Sequence, residues 1–251
     1  MNEEKIVTAC VVIIGNEILS GRTQDTNLAY IAQGLNEVGV TLREARVIPD
    51  IAEVIIATIN EMRAKYDYVF TTGGIGPTHD DITSESIARA FGVPWTLHPE
   101  AHELMVARYR QQGVELNEAR LRMAHTPEGA SLIRNPVSGA PGFRIGNVFI
   151  MAGIPRVMQG MFDSAKQELK GGRPMLSRSI ACHLPEGIIA KGLGEIQGRY
   201  PDLDIGSYPF YRTGAFGTSL VLRGRDAERL AAGTEEVVAL VRALGGNPVE
   251  E

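Results

Sequence analysis

The chain has 251 residues, 44% of them hydrophobic and 22% charged, which is ordinary for a globular protein with one large domain or a large and a small one. Its 30 acidic residues outnumber 25 basic ones and neither part of the chain is basic, so no nucleic-acid partner is expected. The longest apolar run, Ala9 to Ile14, is far shorter than the ~20 residues that a membrane-spanning helix needs. Acids occupy the N-terminus where a signal peptide carries bases. We therefore predict a soluble cytoplasmic protein without a membrane partner.

The first part of the chain alternates strand and helix patterns. Lys5 to Gly15 is rich in β-branched residues and apolar on both alternations, which predicts a strand buried on both faces at the centre of a sheet. Helix caps at Asp25 to Asn27 precede apolar residues at helical spacing up to Val38. A strand, a helix and a strand are then expected over residues 40–49, 51–65 and 67–72. This order predicts a parallel sheet with right-handed crossovers.

Less regular segments follow. Helices are expected over residues 84–91, 98–112 and 118–123, before a long stretch at 126–142 that proline and glycine interrupt. Residues 143–151 predict a hairpin or a kinked strand with Gly146-Asn147 at the turn, and a closing helix starts at Pro155 and runs to Leu169.

Lys170 to Pro174 is the best candidate linker, because it combines glycine and proline between two patterned regions. Beyond it a strand, a helix, two strands and a helix are expected over residues 177–183, 186–199, 203–209, 217–223 and 226–244. The two successive strands predict an antiparallel pair. We thus expect an α/β domain over residues 1–170 and a small α+β domain over 175–251. The latter buries only a modest core and should lean on the first domain or on a second subunit, so a homo-oligomer is expected.

Acidic residues follow each of the first three predicted strands. Strand one runs into Gly15-Asn16-Glu17, strand two into Pro49-Asp50, and strand three into a glycine-rich loop with Asp80 and Asp81. Ligands of open parallel sheets bind beyond the carboxyl ends of the strands. The sequence therefore predicts a ligand crevice lined by carboxylates.

The glycine-rich loop reads TTGGIGPTHDDIT from Thr71 to Thr83. Gly73, Gly74 and Gly76 lack a Cβ, so backbone N–H groups can approach an anionic ligand, and the helix that follows adds positive partial charge. The loop matches neither the Walker A pattern nor the dinucleotide-binding pattern. A tight turn capped by Asp80 or Asp81 is the alternative interpretation.

The paired aspartates predict a division of roles. Adjacent side chains in an extended or helical backbone diverge, so Asp80 and Asp81 should not both chelate one ion. We expect Asp80 to hold the loop and Asp81 to face the crevice. There Asp81, together with Glu17 or Asp50, would hold a divalent cation through water. The alternative for Glu17 and Asp50 is that both are solvated loop acids.

Three further groups are candidates, each with a structural alternative. His79 could be a general acid, a metal ligand or a phosphate contact, or simply an exposed loop histidine. Ser20 and Asn27, with Arg22 and Thr26, could grip a ribose or phosphate, whereas Thr26 or Asn27 could merely cap a helix. The loop from Asn135 to Phe143 suits close approach of a ligand or a plain surface turn. Within it Ser138 has no His-Asp partners at recognisable spacing and is not predicted to be a nucleophile.

Four ordered motifs carry a family resemblance: GNEILSG (15–21), DTN (25–27), GGIGPTHDDIT (73–83) and NPVSGAPGF (135–143). Together they resemble the N-terminal domain of the competence/damage-inducible CinA proteins, and the small α+β unit resembles the part of CinA that follows. That N-terminal domain has the molybdopterin-binding fold, which is shared with molybdopterin adenylyltransferases and with a domain of eukaryotic FAD synthases.

The resemblance implies a three-layer α/β domain that binds a phosphate-bearing nucleotide or pterin, with molybdopterin as a candidate ligand. It also implies Mg²⁺- or Co²⁺-dependent cleavage of a pyrophosphate such as that of ADP-ribose or FAD; the alternatives are adenylyl transfer to molybdopterin and binding without catalysis. By motif position Asp50 and Asp81 match the acidic pair important in the adenylyltransferases, and Glu17 matches the acid of their strand-one loop. We expect catalysis by Asp50, Asp81 and His79 and a metal held by Asp81 and Glu17. The expected ligand-binding residues are Gly15, Asn16, Glu17, Ser20, Asn27, Gly73, Gly74, Gly76, Thr78, Asp80, Ser138, Gly139, Ala140, Pro141 and Gly142.

The chain departs from the family pattern at three places. The usual Gly-Thr or Gly-Ser of the NPVGTAPGF motif is Ser138-Gly139 here, the usual Pro-Gly-Val-Pro begins with Ala152, and the acid that follows it is replaced by Val157. The resemblance stops before the deamidase domain of full-length CinA, so deamidation of nicotinamide mononucleotide is not expected.

Overall fold

The computed structural model describes residues 6–212 and 215–251, so Lys5, the expected start of the first strand, lies outside the described residues. The chain divides into two compact units, Met1–Gly172 and Arg173–Glu251. Cys10 and Cys182, one in each unit, are buried and are free thiols. No helix in the described ranges is long and apolar enough to cross a membrane.

The first unit follows the predicted alternation of strands and helices. Its strands are β1 (Thr8–Ile14), β2 (Thr41–Ile48), β3 (Tyr68–Thr72), β4 (Trp95–Leu97), β5 (His125–Pro127), β6 (Ser131–Ile133), β7 (Gly142–Ile145) and β8 (Val148–Met151). Its helices are α1 (Asn16–Leu19), α2 (Asn27–Glu37), α3 (Ala52–Lys65), α4 (Thr83–Phe91), α5 (Pro99–Gln112), α6 (Glu118–Leu121) and α7 (Pro155–Lys166), and a 3-10 turn covers Arg122–Ala124.

A six-stranded sheet in the order β2-β1-β3-β8-β7-β6 forms the middle layer. Strand β1 is parallel to β2 and β3, and β3 is parallel to β8, whereas β7 is antiparallel to both of its neighbours. The α/β fold class with a mostly parallel sheet is confirmed. The expectation that β1 is the central strand is wrong, because β3 and β8 occupy the middle. Strand β1 has a strand on each side and helices over both faces, so it is buried without being central.

Helices cover both faces of this sheet, and β1 contributes alternate residues to the two cores. Ala9, Val11 and Ile13 belong to the core under α2 and α7, whereas Cys10, Val12 and Ile14 belong to the core under α3 and α4. All six side chains are at most 4% exposed. This double burial is the physical reason why the strand is apolar on both alternations.

The stretch over residues 126–142 is more ordered than its proline and glycine content predicts. It contains most of β5 and all of β6, and β5 pairs with β4, a strand the sequence did not indicate. Strands this short carry too few residues to show a period, and pairing with a neighbour decides them. The predicted hairpin is confirmed, with Gly146 at φ 57° in the turn between β7 and β8.

The second unit is a four-stranded antiparallel sheet in the order β10-β11-β9-β12, with two helices. Its elements are β9 (Leu176–Cys182), α8 (Glu186–Arg199), β10 (Asp204–Arg212), β11 (Ala215–Gly224), α9 (Ala227–Ala243) and β12 (Val249–Glu250). The predicted antiparallel pair is β10 with β11. Ile189 of α8, Leu220 of β11 and Val237 of α9 are fully buried in one core.

A charge network covers edge strand β2. Glu44 accepts hydrogen bonds from Lys65 at 2.7 Å, from the Tyr66 hydroxyl and from Arg46, which also binds Glu61. These bonds, Lys65 foremost, lower the pKa of the Glu44 carboxyl to about 2. Because charged side chains on an edge strand discourage pairing with other chains, the network also protects the sheet.

Glu44→Gln is expected to make the stability of the protein less sensitive to acid. The folded-state pKa of Glu44 lies below its unfolded value of about 4.3, so its contribution is fully present above that pH and is lost as pH falls towards about 2. The difference in Tm between wild type and Glu44→Gln should therefore shrink over this window. Glu53→Gln, which removes an exposed carboxylate 3.4 Å from Arg89, is the control. A Glu44→Gln difference that stays constant with pH would contradict the assignment.

Candidate functional site

Two carboxylates meet at the turn that follows β1. The Asn16 backbone N–H donates to Oδ2 of Asp50 at 2.8 Å, and the Gly15 N–H donates to the Ile48 carbonyl at 3.1 Å. The Glu17 carboxylate lies over Gly15: a Cβ on Gly15 would be only 2.5 Å from Oε1 of Glu17. The ends of β1 and β2 thus deliver Asp50 and Glu17 to one place, as the parallel arrangement predicts.

The glycine-rich loop is fixed by close backbone contacts at the end of β3. Gly73 has φ 103°, and a Cβ on it would lie 2.1 Å from the Ile14 carbonyl oxygen. Gly74 has φ 67°, and its Cβ would lie 2.1 Å from Oγ1 of Thr83. The Gly73 N–H donates to the Met151 carbonyl at 3.1 Å. Glycine is therefore required here by both backbone conformation and space.

Both aspartates of the loop contact Thr78, so Asp81 shares the loop-holding role that we expected for Asp80 alone. Thr78 donates its backbone N–H to Oδ2 of Asp81 at 2.8 Å. The Thr78 hydroxyl, which has one proton, lies 2.5 Å from Oδ1 of Asp80 and 2.6 Å from Oδ2 of Asp81. The two side chains converge because residues 79–80 form a turn rather than extended or helical backbone. The Thr78 hydrogen bond is the largest cause that lowers the pKa of Asp80.

The alternative interpretation of the loop, a tight turn capped by Asp80 or Asp81, is seen in these bonds, whereas the expected helix caps are not. Helix α4 begins after Ile82, and no side chain caps it. Helix α2 is capped neither by Thr26 nor by Asn27; instead Asp25 accepts the Leu28 N–H at 2.9 Å. Sequence patterns alone did not separate these neighbouring polar residues, because each can cap a helix.

Asn27 is instead a buried member of a crevice of about 50 Å³ beyond the strand ends. Its side chain is 4% exposed, and its amide donates to the Gly153 carbonyl at 2.8 Å. Oδ1 of Asn27 and Oγ1 of Thr72 are buried and have no hydrogen-bond partner among the described residues. Glu17 and Gly73 also line this crevice. Such unpaired polar atoms are rare in folded proteins, so a water, an ion or a ligand group is expected to satisfy them.

Asp81 lines a separate slot of about 10 Å³ on the other side of the glycine-rich loop. Gly76, Pro141 and the side chains of Trp95, Arg122 and His125 complete this slot. The Trp95 indole N–H donates to Ser84 at 2.9 Å, and the Arg122 guanidinium lies 5.4 Å from the Trp95 ring centre. Glu17 and Asp81, the expected metal ligands, therefore line different cavities. Sequence reasoning missed Trp95, Arg122 and His125, and their only signal was the single tryptophan of the chain.

Asn135 organises the loop between β6 and β7. Its amide donates to Oγ of Ser138 at 2.6 Å and to the Ala140 carbonyl at 2.7 Å, while its Oδ1 accepts the Val137 and Ser138 N–H groups. Ser138 therefore serves the loop's own structure, whereas Pro141 reaches the Asp81 slot. A Cβ on Gly142 would lie 2.5 Å from the Ile150 carbonyl oxygen, so this glycine also serves packing.

Ser20 and His79, also predicted for the site, lie on the surface, and Val157 lies in the core. Ser20 is exposed and donates to the Glu17 carbonyl at 3.2 Å, and His79 is exposed on the glycine-rich loop. Val157, which stands where the family has an acid, is 8% exposed and belongs to the core under α2 and α7. Among the described residues, no three His, Cys, Asp or Glu side chains are grouped as a metal site.

A three-layer α/β unit with a glycine-rich loop and carboxylates at the carboxyl edge of its sheet defines a class of small-molecule-binding proteins. Residues 10–171 match the model of the probable molybdopterin binding domain, and the chain belongs to this family. Residues 174–245 match the middle domain of FAD synthase.

Individual relatives agree with this assignment and confirm the CinA resemblance. CinA from Thermoplasma acidophilum, a protein of unknown function, has a crystal structure that matches with 32% identity and a TM-score of 0.59, covering 65% of this chain and 98% of that one. A protein from Aeropyrum pernix is 32% identical over 97% of both chains. A CinA-like protein from Desulfosudis oleivorans is 32% identical over 78% of this chain and 50% of its own length.

Proposed function

We propose that the first unit binds a phosphate-bearing nucleotide or pterin and hydrolyses a dinucleotide pyrophosphate of the ADP-ribose or FAD type with a divalent metal. The observation that carries the proposal is the Gly15–Asn16 turn: Asp50 accepts the Asn16 N–H, and Glu17 lines the crevice that holds the buried, unpaired polar atoms of Asn27 and Thr72. A packing role does not account for acids and unpaired polar atoms gathered at one strand end.

Glu17 and Asp81 line separate cavities, so one Mg²⁺ or Co²⁺ ion would take one of these carboxylates directly and reach the other through water or phosphate. Within the described residues, Oδ1 of Asp50, Oδ1 of Asp81 and the Glu17 carboxylate accept no hydrogen bond. Magnesium prefers oxygen ligands and usually takes one or two protein carboxylates, with water and phosphate completing its shell. A bound metal would neutralise phosphate charge and lower the pKa of a coordinated water.

The chain's own groups have separate tasks in the proposed reaction. Backbone N–H groups of the glycine-rich loop hold the pyrophosphate, because the loop brings the backbone close without a Cβ in the way. Asp50 and Asp81 orient the attacking water. A bond forms between the water oxygen and one phosphorus while the bridging P–O bond breaks, releasing two monophosphates. His79, exposed on the glycine-rich loop, would donate a proton to the leaving phosphate.

Asp81→Asn is expected to lower kcat for AMP release from ADP-ribose or FAD by about 10²-fold or more, as loss of one charged group in an active site does. Asparagine retains an oxygen for the Thr78 N–H, so the turn should survive. The measurement is AMP release by the full chain with Mg²⁺ or Co²⁺, followed chromatographically.

Asp80→Asn is the matched control, because Asp80 contacts the same Thr78 hydroxyl but does not line the slot. We expect it to lower kcat about tenfold at most, since loss of one loop hydrogen bond is a smaller change. Equal losses in the two variants would contradict the proposed role of Asp81. Wild-type protein that releases no AMP from either substrate with either metal would contradict hydrolysis itself.

The family description favours molybdopterin as a ligand, and the resemblance to molybdopterin adenylyltransferases adds a second candidate, adenylyl transfer to it. The two reactions use the same phosphate-binding groups and differ in the nucleophile, water or the pterin phosphate. Transfer of AMP from ATP to molybdopterin, with no release from ADP-ribose, would establish the transferase. Tight binding without turnover, unchanged by Asp81→Asn, would establish a non-catalytic binder.

A further inference from the structure

A cavity of about 600 Å³ lies between α5 and the segment over residues 132–141. Its volume is within the 300–1,000 Å³ that small-molecule sites usually have. The crevice at Glu17 and the slot at Asp81 have about 50 and 10 Å³. A nucleotide does not fit in either, so its heterocycle and sugar need a larger space.

The large cavity adjoins the slot at one residue. Pro141 lines both, with Asp81 and Gly76 on the slot side and Leu104 and Leu132 on the cavity side. A ligand that crosses Pro141 would therefore place one end in the cavity and the other at the glycine-rich loop.

The cavity combines apolar walls with positive charge. Leu104, Leu132 and Pro141 provide surfaces for a planar ring. The lining also contains two basic residues, Arg108 and Arg134, and one acid, Glu100. Arg108 is half-buried and donates to the Val137 carbonyl at 3.1 Å, but neither Arg108 nor Arg134 forms an ion pair within residues 6–212 and 215–251. A half-buried guanidinium without a carboxylate partner favours binding of an anion such as phosphate.

Gly139, one of the departures from the family pattern, leaves room for the Arg108 side chain. Gly139 has φ 88°, and a Cβ there would lie 2.8 Å from Cγ of Arg108. The threonine or serine that the family usually has at this position would collide with the arginine stem. The Ser138-Gly139 sequence therefore allows α5 to present Arg108 to this cavity.

We propose that this cavity binds the nucleoside monophosphate half of the substrate, with the ring between the apolar walls and the phosphate on Arg108 and Arg134. The proposal rests on the proposed nucleotide-binding function and names where the larger part of that ligand lies. It requires no catalysis, so it can be tested by binding alone.

Calorimetric titration of the full chain with AMP tests the proposal. Arg108→Met should raise the Kd for AMP about tenfold or more, because charge-assisted hydrogen bonds are lost. Leu104→Trp should abolish binding by filling the cavity, and Leu104 is 47% exposed, so the core is untouched. Arg110→Met is the matched control, because Arg110 is exposed on the same helix and does not line the cavity. We expect it to leave the Kd unchanged.

Adenosine and inorganic phosphate separate the two halves of the site. Leu104→Trp should weaken adenosine binding, whereas Arg108→Met should weaken phosphate binding.

No AMP binding by wild type, or equal Kd values in wild type, Arg108→Met and Leu104→Trp, would overturn the proposal. Neopterin binding that depends on Leu104 while AMP does not bind would overturn the nucleotide assignment. If Arg108→Met hydrolyses the substrate with an unchanged KM, the proposed hydrolysis stands and the binding role of this cavity is refuted. If wild type binds AMP in the cavity but hydrolyses neither substrate, the binding role stands and the proposed hydrolysis is refuted.

Discussion

Phe149→Ala is expected to lower the free energy of unfolding of the first unit by about 3 to 5 kcal/mol, the usual cost of removing a buried phenylalanine. Phe149 is 1% exposed on β8, and its ring stacks on Phe70 of β3 with centroids 5.0 Å apart. Tyr68 meets it edge-on at 5.9 Å. Since β3 and β8 are the two middle strands, the cavity left by the substitution would lie where the sheet is least able to close it.

Urea unfolding followed by Trp95 fluorescence measures this effect, because Trp95 is the single tryptophan and lies in the first unit. Leu97→Ala, which truncates a side chain that is 40% exposed, is the control and should cost less than about 1 kcal/mol. A Phe149→Ala loss as small as that of Leu97→Ala would show that the aromatic cluster does not stabilise the sheet.

Gly73→Ala is expected to destabilise the first unit by about 2 to 5 kcal/mol and to weaken ligand binding as well. A non-glycine residue at positive φ costs about 1–2 kcal/mol, and forcing atoms into a packed site typically costs a further 1–3 kcal/mol. The obstacle is the Ile14 carbonyl oxygen, 2.1 Å from the Cβ position. This oxygen belongs to the backbone of a buried strand, so it cannot move aside as a side chain would.

Gly21→Ala separates the two contributions. Gly21 has φ 72°, but no heavy atom lies within 4 Å of the Cβ position there, so only the backbone conformation is penalised. We expect a loss of about 1–2 kcal/mol for Gly21→Ala, measured by the same fluorescence method. Equal losses for Gly21→Ala and Gly73→Ala would mean that the loop can shift away from β1, and a preformed phosphate cradle would then be untenable.

Much of the fold could be predicted because its information is local. Apolar runs, helix spacing and the Gly146-Asn147 turn fix the identity and order of the main elements, and β1 carries its double burial in its own composition. The adjacent glycines at 73 and 74 likewise indicate an unusual backbone by their residue type alone, since few other residues adopt positive φ.

The site was less predictable because neighbouring polar residues are locally equivalent. Asp25, Thr26 and Asn27 all suit a helix cap, yet only Asp25 makes the bond, and Asn27 is buried against Gly153 from a distant part of the chain. Asp80 and Asp81 likewise converge on Thr78 through a turn whose shape the adjacent strand and helix impose.

The sequence by itself determined the class of this protein: a parallel α/β unit with a glycine-rich loop and an acid after each of three strands, followed by a small α+β unit. Only the tertiary structure decided the order of the strands, the separation of Glu17 and Asp81 into different cavities, and the approach of Arg108 to Gly139. The physical reason is that periodicity and backbone preference act between near neighbours. Cavities and pairings instead arise between segments that are brought together only when the apolar faces of the sheet and helices are buried.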